Sequence, residues 1–248
     1  MQYIFASDPH GTGQPWIELV KKAQKKYPHN QTIFGGDYID GRKHSKETLD
    51  FIIDQVQNNN AIALRGNHEQ MMLDFIGSND ELWYYNGAKS TVKSLFNRGY
   101  SKPITRHKIL QSPYYEFIKK LTIVYETKHI IFVHGAYPLN NQTYQPYDYL
   151  WNRESYWWKD SKTPIFAHNT TNKTIVTGHT PTCLITGRYD FAPNHPIPPN
   201  PKNQVLKIKY PNEKPRYFTD GGCHGTNNDL NGNICVFDEN GILLEVFN

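Results

Sequence analysis

A short apolar run that stops at a polar tip and gives way to an amphipathic stretch recurs three times within the first 80 residues, and this repetition restricts the fold more than any other feature. QYIFAS (2–7) reads as a buried strand, and residues 14–27 follow with apolar side chains at helical spacing. QTIFGG leads through DYIDGRKHS into a helix expected over about 45–57, with Ser45 placed to cap it and Thr48 to begin its apolar face. AIALRG leads through NHEQ into a helix expected over about 69–76. Successive β-α units pack as a mainly parallel layer whose ligands bind beyond the carboxyl ends of the strands. The active site is expected along that edge.

Length and composition narrow the class. A chain of 248 residues fits one sizeable domain over 1–248, with aromatic insertions expected near 77–110 and 136–170. Hydrophobic residues make up 38% and aromatics 14%, enough apolar material for a packed core. The net charge of +4 has only one dense basic tract, Lys21, Lys22, Lys25 and Lys26, and on a helix those lysines alternate with apolar positions. They read as a solvated face, not as a nucleic-acid surface. Three cysteines, Cys183, Cys223 and Cys235, are too few and too scattered for a disulfide framework or a zinc finger. No apolar run is long enough to span a bilayer, and the first one is cut by Asp8, so no membrane partner and a cytoplasmic, reducing location are expected. Further on, 114–120 reads as a helix feeding the strands LTIVYE and HIIFVHG, and TIVTGHT returns to the strand-then-polar-tip form. The proline-rich PNHPIPPNPK (193–202) reads as a loop, and the C-terminal stretch as antiparallel strands with a tight turn at Asn240-Gly241.

Five polar clusters end apolar runs: Asp8-Pro9-His10-Gly11, Gly36-Asp37-Tyr38-Ile39-Asp40, Gly66-Asn67-His68-Glu69, Val133-His134-Gly135 and Gly178-His179-Thr180. Singly, an Asp-x-His pair is more often structural than catalytic. Together the clusters supply carboxylate, amide and imidazole groups, the mixed oxygen and nitrogen set that divalent transition metals favour. The flanking glycines allow sharp turns and close backbone approach.

The segments SDPHG, GGDYIDGRKHS, LRGNHE, FVHGA and VTGHT resemble the calcineurin-like metallophosphoesterase superfamily, and within it the phosphoprotein phosphatase branch that includes bacterial and phage enzymes. The resemblance runs from about Tyr3 to Thr180, and FTDGGCHG is similar to that family's penultimate strand. It implies an α/β fold, a four-layer α-β-β-α sandwich of two mixed sheets flanked by helices. It also implies two divalent metal ions, manganese first, then iron or zinc. Asp8 and His10 would hold one ion, Asn67, His134 and His179 the other, and Asp37 would bridge them. His68 would be the acid that protonates the leaving oxygen, with Asp40 orienting it. Arg65 would face the phosphate, as would Arg153 in LWNRE, which resembles a Trp-x-Arg segment of bacterial and phage members. The sequence departs from the family where Asp-Arg-Gly appears as Asp40-Gly41-Arg42, which displaces Arg42 by one residue and leaves its phosphate-binding role open. Ser7 stands where a glycine is usual.

The resemblance thus implies hydrolysis of a phosphate ester by a bridging, metal-activated water. Three functions follow from it. The first is a serine/threonine protein phosphatase acting on a phosphorylated protein. The second is a hydrolase of small phosphate esters, namely dinucleoside polyphosphates such as diadenosine tetraphosphate. The third is a metal-binding recognition module without turnover, whose signature would be a lost ligand or acid.

Overall fold

Strands whose alternate residues are all apolar must bury both faces, and this requirement builds two stacked sheets. The computed structural model describes residues 1–78, 80–139, 143–153, 166–185, 197, 199–224 and 231–248. The first sheet contains β1 (Gln2–Ala6), β2 (Asn30–Phe34), β3 (Ile62–Ala63), β9 (Ile234–Asp238) and β10 (Leu243–Phe247), in the order β10-β9-β1-β2-β3. β1, β2 and β3 run parallel, while β9 and β10 are antiparallel additions at one edge. The second sheet contains β4 (Val124–Glu126), β5 (Ile130–Val133), β6 (Thr174–Thr177), β7 (Leu206–Ile208) and β8 (Arg216–Phe218), in the order β4-β5-β6-β8-β7. Its centre, β5-β6-β8, is also parallel.

Alternation along each strand separates three cores. Phe5, Ile33, Phe132, Val176, Tyr217 and Phe237 fill the space between the sheets. Their neighbours Ile4, Ala6 and Phe34 face outward under α1 (Gln14–Lys26) and α2 (Ser45–Asn58), whose buried Trp16, Val20 and Ile52 cover them. On the second sheet Ile131, Val133, Ile175 and Phe218 face outward into a smaller cluster with Tyr137, Tyr144 and Tyr149. The result is two mixed sheets with flanking helices, the fold that the family resemblance implies.

The helices differ from expectation in ways that matter for the site. Ser45 does not cap α2; it is the first helical residue, it is buried, and its hydroxyl lies 3.4 Å from that of Thr91. α3 spans Asn67–Ser78 and starts two residues earlier than the pattern suggests, so Asn67 and His68 belong to its first turn. The aromatic stretch at 77–110 is helical, with α4 (Leu82–Tyr85), α5 (Ala88–Phe96) and α6 (Lys102–Leu110), followed by α7 (Pro113–Lys119). In the second insertion α8 (Pro146–Trp151) precedes Arg153, and residues 154–165 lie outside the described residues, as do 193–196 and 198 of the proline-rich loop. The β9-β10 connection turns on Gly241, whose φ of 82° an L side chain rarely adopts, and Asp238 Oδ1 accepts the main-chain N–H groups of Asn240 and Ile242. Among the described residues no helix is long and apolar enough to cross a membrane.

Phe132 is the hub of the inter-sheet core: fully buried, it stacks on Phe5 at 5.6 Å between ring centres and also meets Tyr3, Tyr125 and Phe237. Truncating such a ring removes its transfer energy and leaves a cavity, so Phe132→Ala should lose about 3–5 kcal/mol in urea denaturation. A loss below about 1 kcal/mol would show that the two sheets do not depend on this layer.

Candidate metal centre

Six parallel strands, three from each sheet, deliver a polar residue at or just beyond their carboxyl ends. Asp8 follows β1, Asp37 follows β2 and Asn67 follows β3; His134 follows β5, His179 follows β6 and Asp220 follows β8. All six are buried. The local backbone is forced: Asp8, His10, Asp37, Asp40 and His179 all have φ between 44° and 67°. Left-handed backbone at a residue with a Cβ is unfavourable by roughly 1–3 kcal/mol each, and such residues persist where the surroundings over-determine them. Two glycines permit the crowding, since a Cβ on Gly178 would collide with Asp8 Oδ2 and one on Gly66 with Asp37 Oδ1.

The three candidate ligand histidines share one arrangement. His10 Nδ1 donates to the Ile39 carbonyl at 3.1 Å, His134 Nδ1 to that of Gly35 at 2.8 Å, and His179 Nε2 to that of Trp151 at 3.3 Å. Each bond fixes a tautomer and leaves the other nitrogen with a free lone pair, as metal-bound imidazoles require. His134 Nε2 accordingly stands 3.0 Å from Asn67 Oδ1 and 3.3 Å from Asp37 Oδ1, and His10 Nε2 stands 3.5 Å from Asp37 Oδ2. Two groups of three result, Asp8-His10-Asp37 and Asp37-His134-His179, each with one ligand atom per residue within 4.8 Å of the others. Asp37 belongs to both.

Acceptors facing lone pairs need a positive charge between them. Asp8 Oδ2 and His179 Nδ1 are buried without a hydrogen-bond partner among the described residues. Burial and the neighbouring charge of Asp220 push Asp8 well above the usual carboxylate range. Burial opposes the charge of Asp37 as well, yet the imidazoles of His134, His68 and His10 hold it well below that range. In turn Asp37 outweighs the burial of His134 and lifts it to about 9, while burial and the His134 charge hold His179 well below the usual imidazole value. The site therefore takes up protons when it holds no cation. The donor set fits divalent ions on these grounds.

The remaining expected residues separate into two sets. His68 Nδ1 is 2.8 Å from Asp40 Oδ2, and its Nε2 lies 3.9 Å from Asp37 Oδ2, so the ring joins Asp40 to the centre. Burial opposes its proton, but the charges of Asp37 and Asp40 raise it to about 9. Arg153 Nε donates to Thr180 Oγ1 at 3.0 Å and its Nη2 to the His179 carbonyl at 3.2 Å, and it feels Asp37, Asp220 and Asp8. Arg65 is a correction. Its guanidinium donates to Gln70 and to the carbonyls of Lys119 and Leu121, tying α3 to the end of α7 instead of facing the centre. A cation there complements the carbonyl end of a helix. The Arg42 main chain donates to the His10 carbonyl at 2.8 Å, and its charge acts on the buried Cys223 thiol.

Five supporting groups, Glu69, Trp83, Thr91, Asp220 and His224, escape sequence reasoning. Glu69 accepts main-chain N–H bonds from Asp37, Tyr38 and Gly66 at 2.8–2.9 Å, clamping the second polar loop to the third. Asp40 accepts from Thr91 Oγ1 at 2.6 Å and from Trp83 Nε1 at 2.9 Å, both from the helical insertion. Burial raises the Asp220 carboxyl to about 7. His224, four residues on, lies edge-on to His10 with ring centres 4.6 Å apart. The strand-then-Gly-Gly form of FTDGGCHG is the signal that points to the last two.

Comparison with known proteins bears on the family and the fold. The family model of the calcineurin-like phosphoesterases matches residues 1–216. Among solved structures, the cold-active protein-tyrosine phosphatase of a Shewanella species superposes with a TM-score of 0.56 at 15% identity, covering 100% of this chain and 80% of that one. A serine/threonine phosphatase from Saccharomyces cerevisiae gives 0.52 at 12% identity, with 100% and 79% covered. A structure assigned as a candidate diadenosine tetraphosphatase gives 0.52 at 12%, with 98% and 91% covered. At such identities these likenesses show the fold alone. No curated protein matches the chain by sequence.

If the cluster binds cations, they should stabilise the folded chain. Binding of one ion at a hundredfold excess over Kd contributes about 2.7 kcal/mol, so manganese added to chelator-treated protein should raise Tm by roughly 5–10 °C. Asp37→Asn should lose more than half of that rise. An equal rise in the variant would mean that the ions bind elsewhere.

Proposed function

The chain belongs to the calcineurin-like phosphoesterases, hydrolases of phosphate esters, and from that premise we propose that it is a serine/threonine protein phosphatase-like enzyme with a two-ion centre. Asp8 and His10 would hold one ion, Asn67, His134 and His179 would hold the other, and Asp37 would serve both. The observation that carries this reading is the sharing of Asp37 between both ligand groups. Manganese is the proposed metal, with iron or zinc next, on the strength of the family resemblance; the mixed carboxylate, amide and imidazole donors suit divalent transition metals as a class. When bound, such a pair supplies Lewis-acid activation of a water and neutralisation of phosphoryl charge.

The chain's own residues do the rest. His68 keeps its proton through Asp40, and the Nε2 side of its ring, turned toward the centre, gives that proton to the departing alkoxide. Trp83 and Thr91 donate to Asp40 and so fix the rotamer on which His68 depends. Arg153, anchored on His179 and Thr180, binds phosphoryl oxygens as charge builds in the transition state. Arg42 is left without an assigned contact to phosphate.

Phosphoserine or phosphothreonine in a protein is favoured as substrate by the resemblance of GNHE and the Trp-x-Arg segment. One observation favours dinucleoside polyphosphates instead: Tyr147 is 56% exposed and stacks on Trp151, whose ring meets His179 at 6.4 Å between centres. An exposed aromatic beside the centre could carry a nucleobase.

A side-by-side assay of the manganese-loaded protein decides between them, with kcat/KM higher on a phosphoserine peptide than on diadenosine tetraphosphate if the first reading holds and the reverse if the second does. Turnover of neither would sink both. His68→Asn should keep its metal content and lose about 10²–10⁴-fold on alkyl phosphates. It should lose far less on p-nitrophenyl phosphate, whose leaving group needs no proton. Equal losses on both substrates would count against His68 as the acid.

A further inference from the structure

The chain keeps its positive charge in the helical insertion. Residues 81–120 hold eight Lys or Arg against two Asp or Glu, a surplus larger than the +4 of the whole chain, so the remainder is net negative. This insertion borders the centre: a Cβ on Gly87 would meet that of Asp40 at 2.8 Å, and α5 runs on from there to Phe96. Between α5 and the start of α2 lies a groove of about 900 Å³, lined by Lys43, Lys46 and Glu47 on one side and by Ser90, Lys93 and Asn97 on the other. Its near end opens off the loop that carries His10, because the Arg42 N–H donates to the His10 carbonyl at 2.8 Å and the His44 N–H to that of Gly11 at 2.9 Å. The carboxylates of the groove are already engaged. Asp50 accepts from Lys46 at 2.5 Å and from the Tyr114 hydroxyl at 2.8 Å, and Glu47 lies 3.5 Å from His44. Lys43 and Lys93 are exposed, and among the described residues neither pairs with a carboxylate. Past the far end, Arg98 and Lys108 lie 4.7 and 5.0 Å from the centre of the Tyr100 ring.

We infer that this groove binds an acidic stretch of a protein substrate, so that the enzyme selects phosphorylated residues with Glu or Asp a few positions away. The inference rests on the protein-phosphatase reading for the phosphate, and on the groove alone for the acids. The nine residues of α5 extend about 13 Å, which an extended peptide covers in about four residues. Two unmatched lysines along that length suit separate carboxylates spaced along a chain. A nucleic acid fits less well: no Phe, Tyr or Trp lines the groove to stack a base, and Glu47 and Asp50 would face a phosphate backbone.

Fluorescence anisotropy and initial rates test this together. Two labelled serine peptides, identical except that the residues flanking the serine are all Glu or all Gln, are titrated with the manganese-loaded protein, and their phosphoserine forms serve as substrates. At low salt the Glu peptide should bind about tenfold more tightly, and its phosphorylated form should have a kcat/KM higher by a similar factor, as two exposed ion pairs of about two- to fivefold each allow. Both differences should shrink in high salt. Lys43→Gln combined with Lys93→Gln should keep the rate on p-nitrophenyl phosphate and lose the preference. Lys22→Gln combined with Lys25→Gln removes the same charge from α1 and should keep the preference. Equal binding of the two peptides by the wild-type chain, an unchanged preference in the Lys43/Lys93 variant, or the same loss in the Lys22/Lys25 variant overturns the proposal. An oligothymidylate that displaces the labelled Glu peptide at lower concentration than the unlabelled Glu peptide does would give the groove to nucleic acid and overturn it as well. Binding does not depend on turnover: if neither phosphopeptide is hydrolysed, the protein-phosphatase reading fails, while a Glu preference that needs Lys43 and Lys93 still establishes the groove.

Discussion

The buried carboxylate of Asp37 is the charge around which the rest of the centre is arranged. Taking an ionised carboxylate out of water costs several kcal/mol unless partners compensate. Here the compensation comes from both sheets at once: the His68 main-chain N–H donates to Oδ1 at 3.0 Å, His134 approaches from the second sheet, and His10 approaches from the loop after β1. None of these partners is close to Asp37 in sequence. The sheets must therefore be stacked in one relative position for the charge to be tolerated, and the apolar layer of Phe5, Phe132 and Phe237 holds them there.

The polar bonds across the top of the sandwich have the same character. The His179 N–H donates to Asp8 Oδ1, the Asp8 N–H to the Gly36 carbonyl, and His134 Nδ1 to the Gly35 carbonyl, so every loop that carries a candidate ligand is tied to another such loop. Glu69 adds a clamp of three main-chain bonds under Asp37. Such a frame explains how five non-glycine residues can stand in the left-handed region together. It also separates two imidazoles of similar setting: His68 gains the charges of Asp37 and Asp40 and stays protonated, while burial and the His68 charge deny His10 its proton. One ring suits proton donation and the other suits a metal.

Much of this was legible in the sequence because the strand periodicity and the glycine-flanked polar tips are local signals. β1, β2 and β5 appear where apolar runs end at Asp8, Asp37 and His134, and the parallel order follows from the β-α steps. What was not legible is what depends on long-range packing. Trp83 and Thr91 reach Asp40 from 43 and 51 residues away, and nothing in an aromatic helical stretch announces that two of its members are hydrogen-bond donors to a carboxylate. Arg65 shows the complementary case: its place before GNHE suggests phosphate, but its guanidinium is taken up by Gln70 and by the carbonyls of Lys119 and Leu121. Ser45 has the composition of a cap and is instead buried against Thr91, since the helix begins where the insertion packs on it.

The central claim is that one carboxylate serves two metal ions, and anomalous diffraction from crystals soaked in manganese measures it most directly. The account predicts two manganese peaks about 3.5–4 Å apart, with Asp37 touching both, Asp8 and His10 on one, and Asn67, His134 and His179 on the other. A single peak, or two peaks with Asp37 bound to neither or only one, would contradict it.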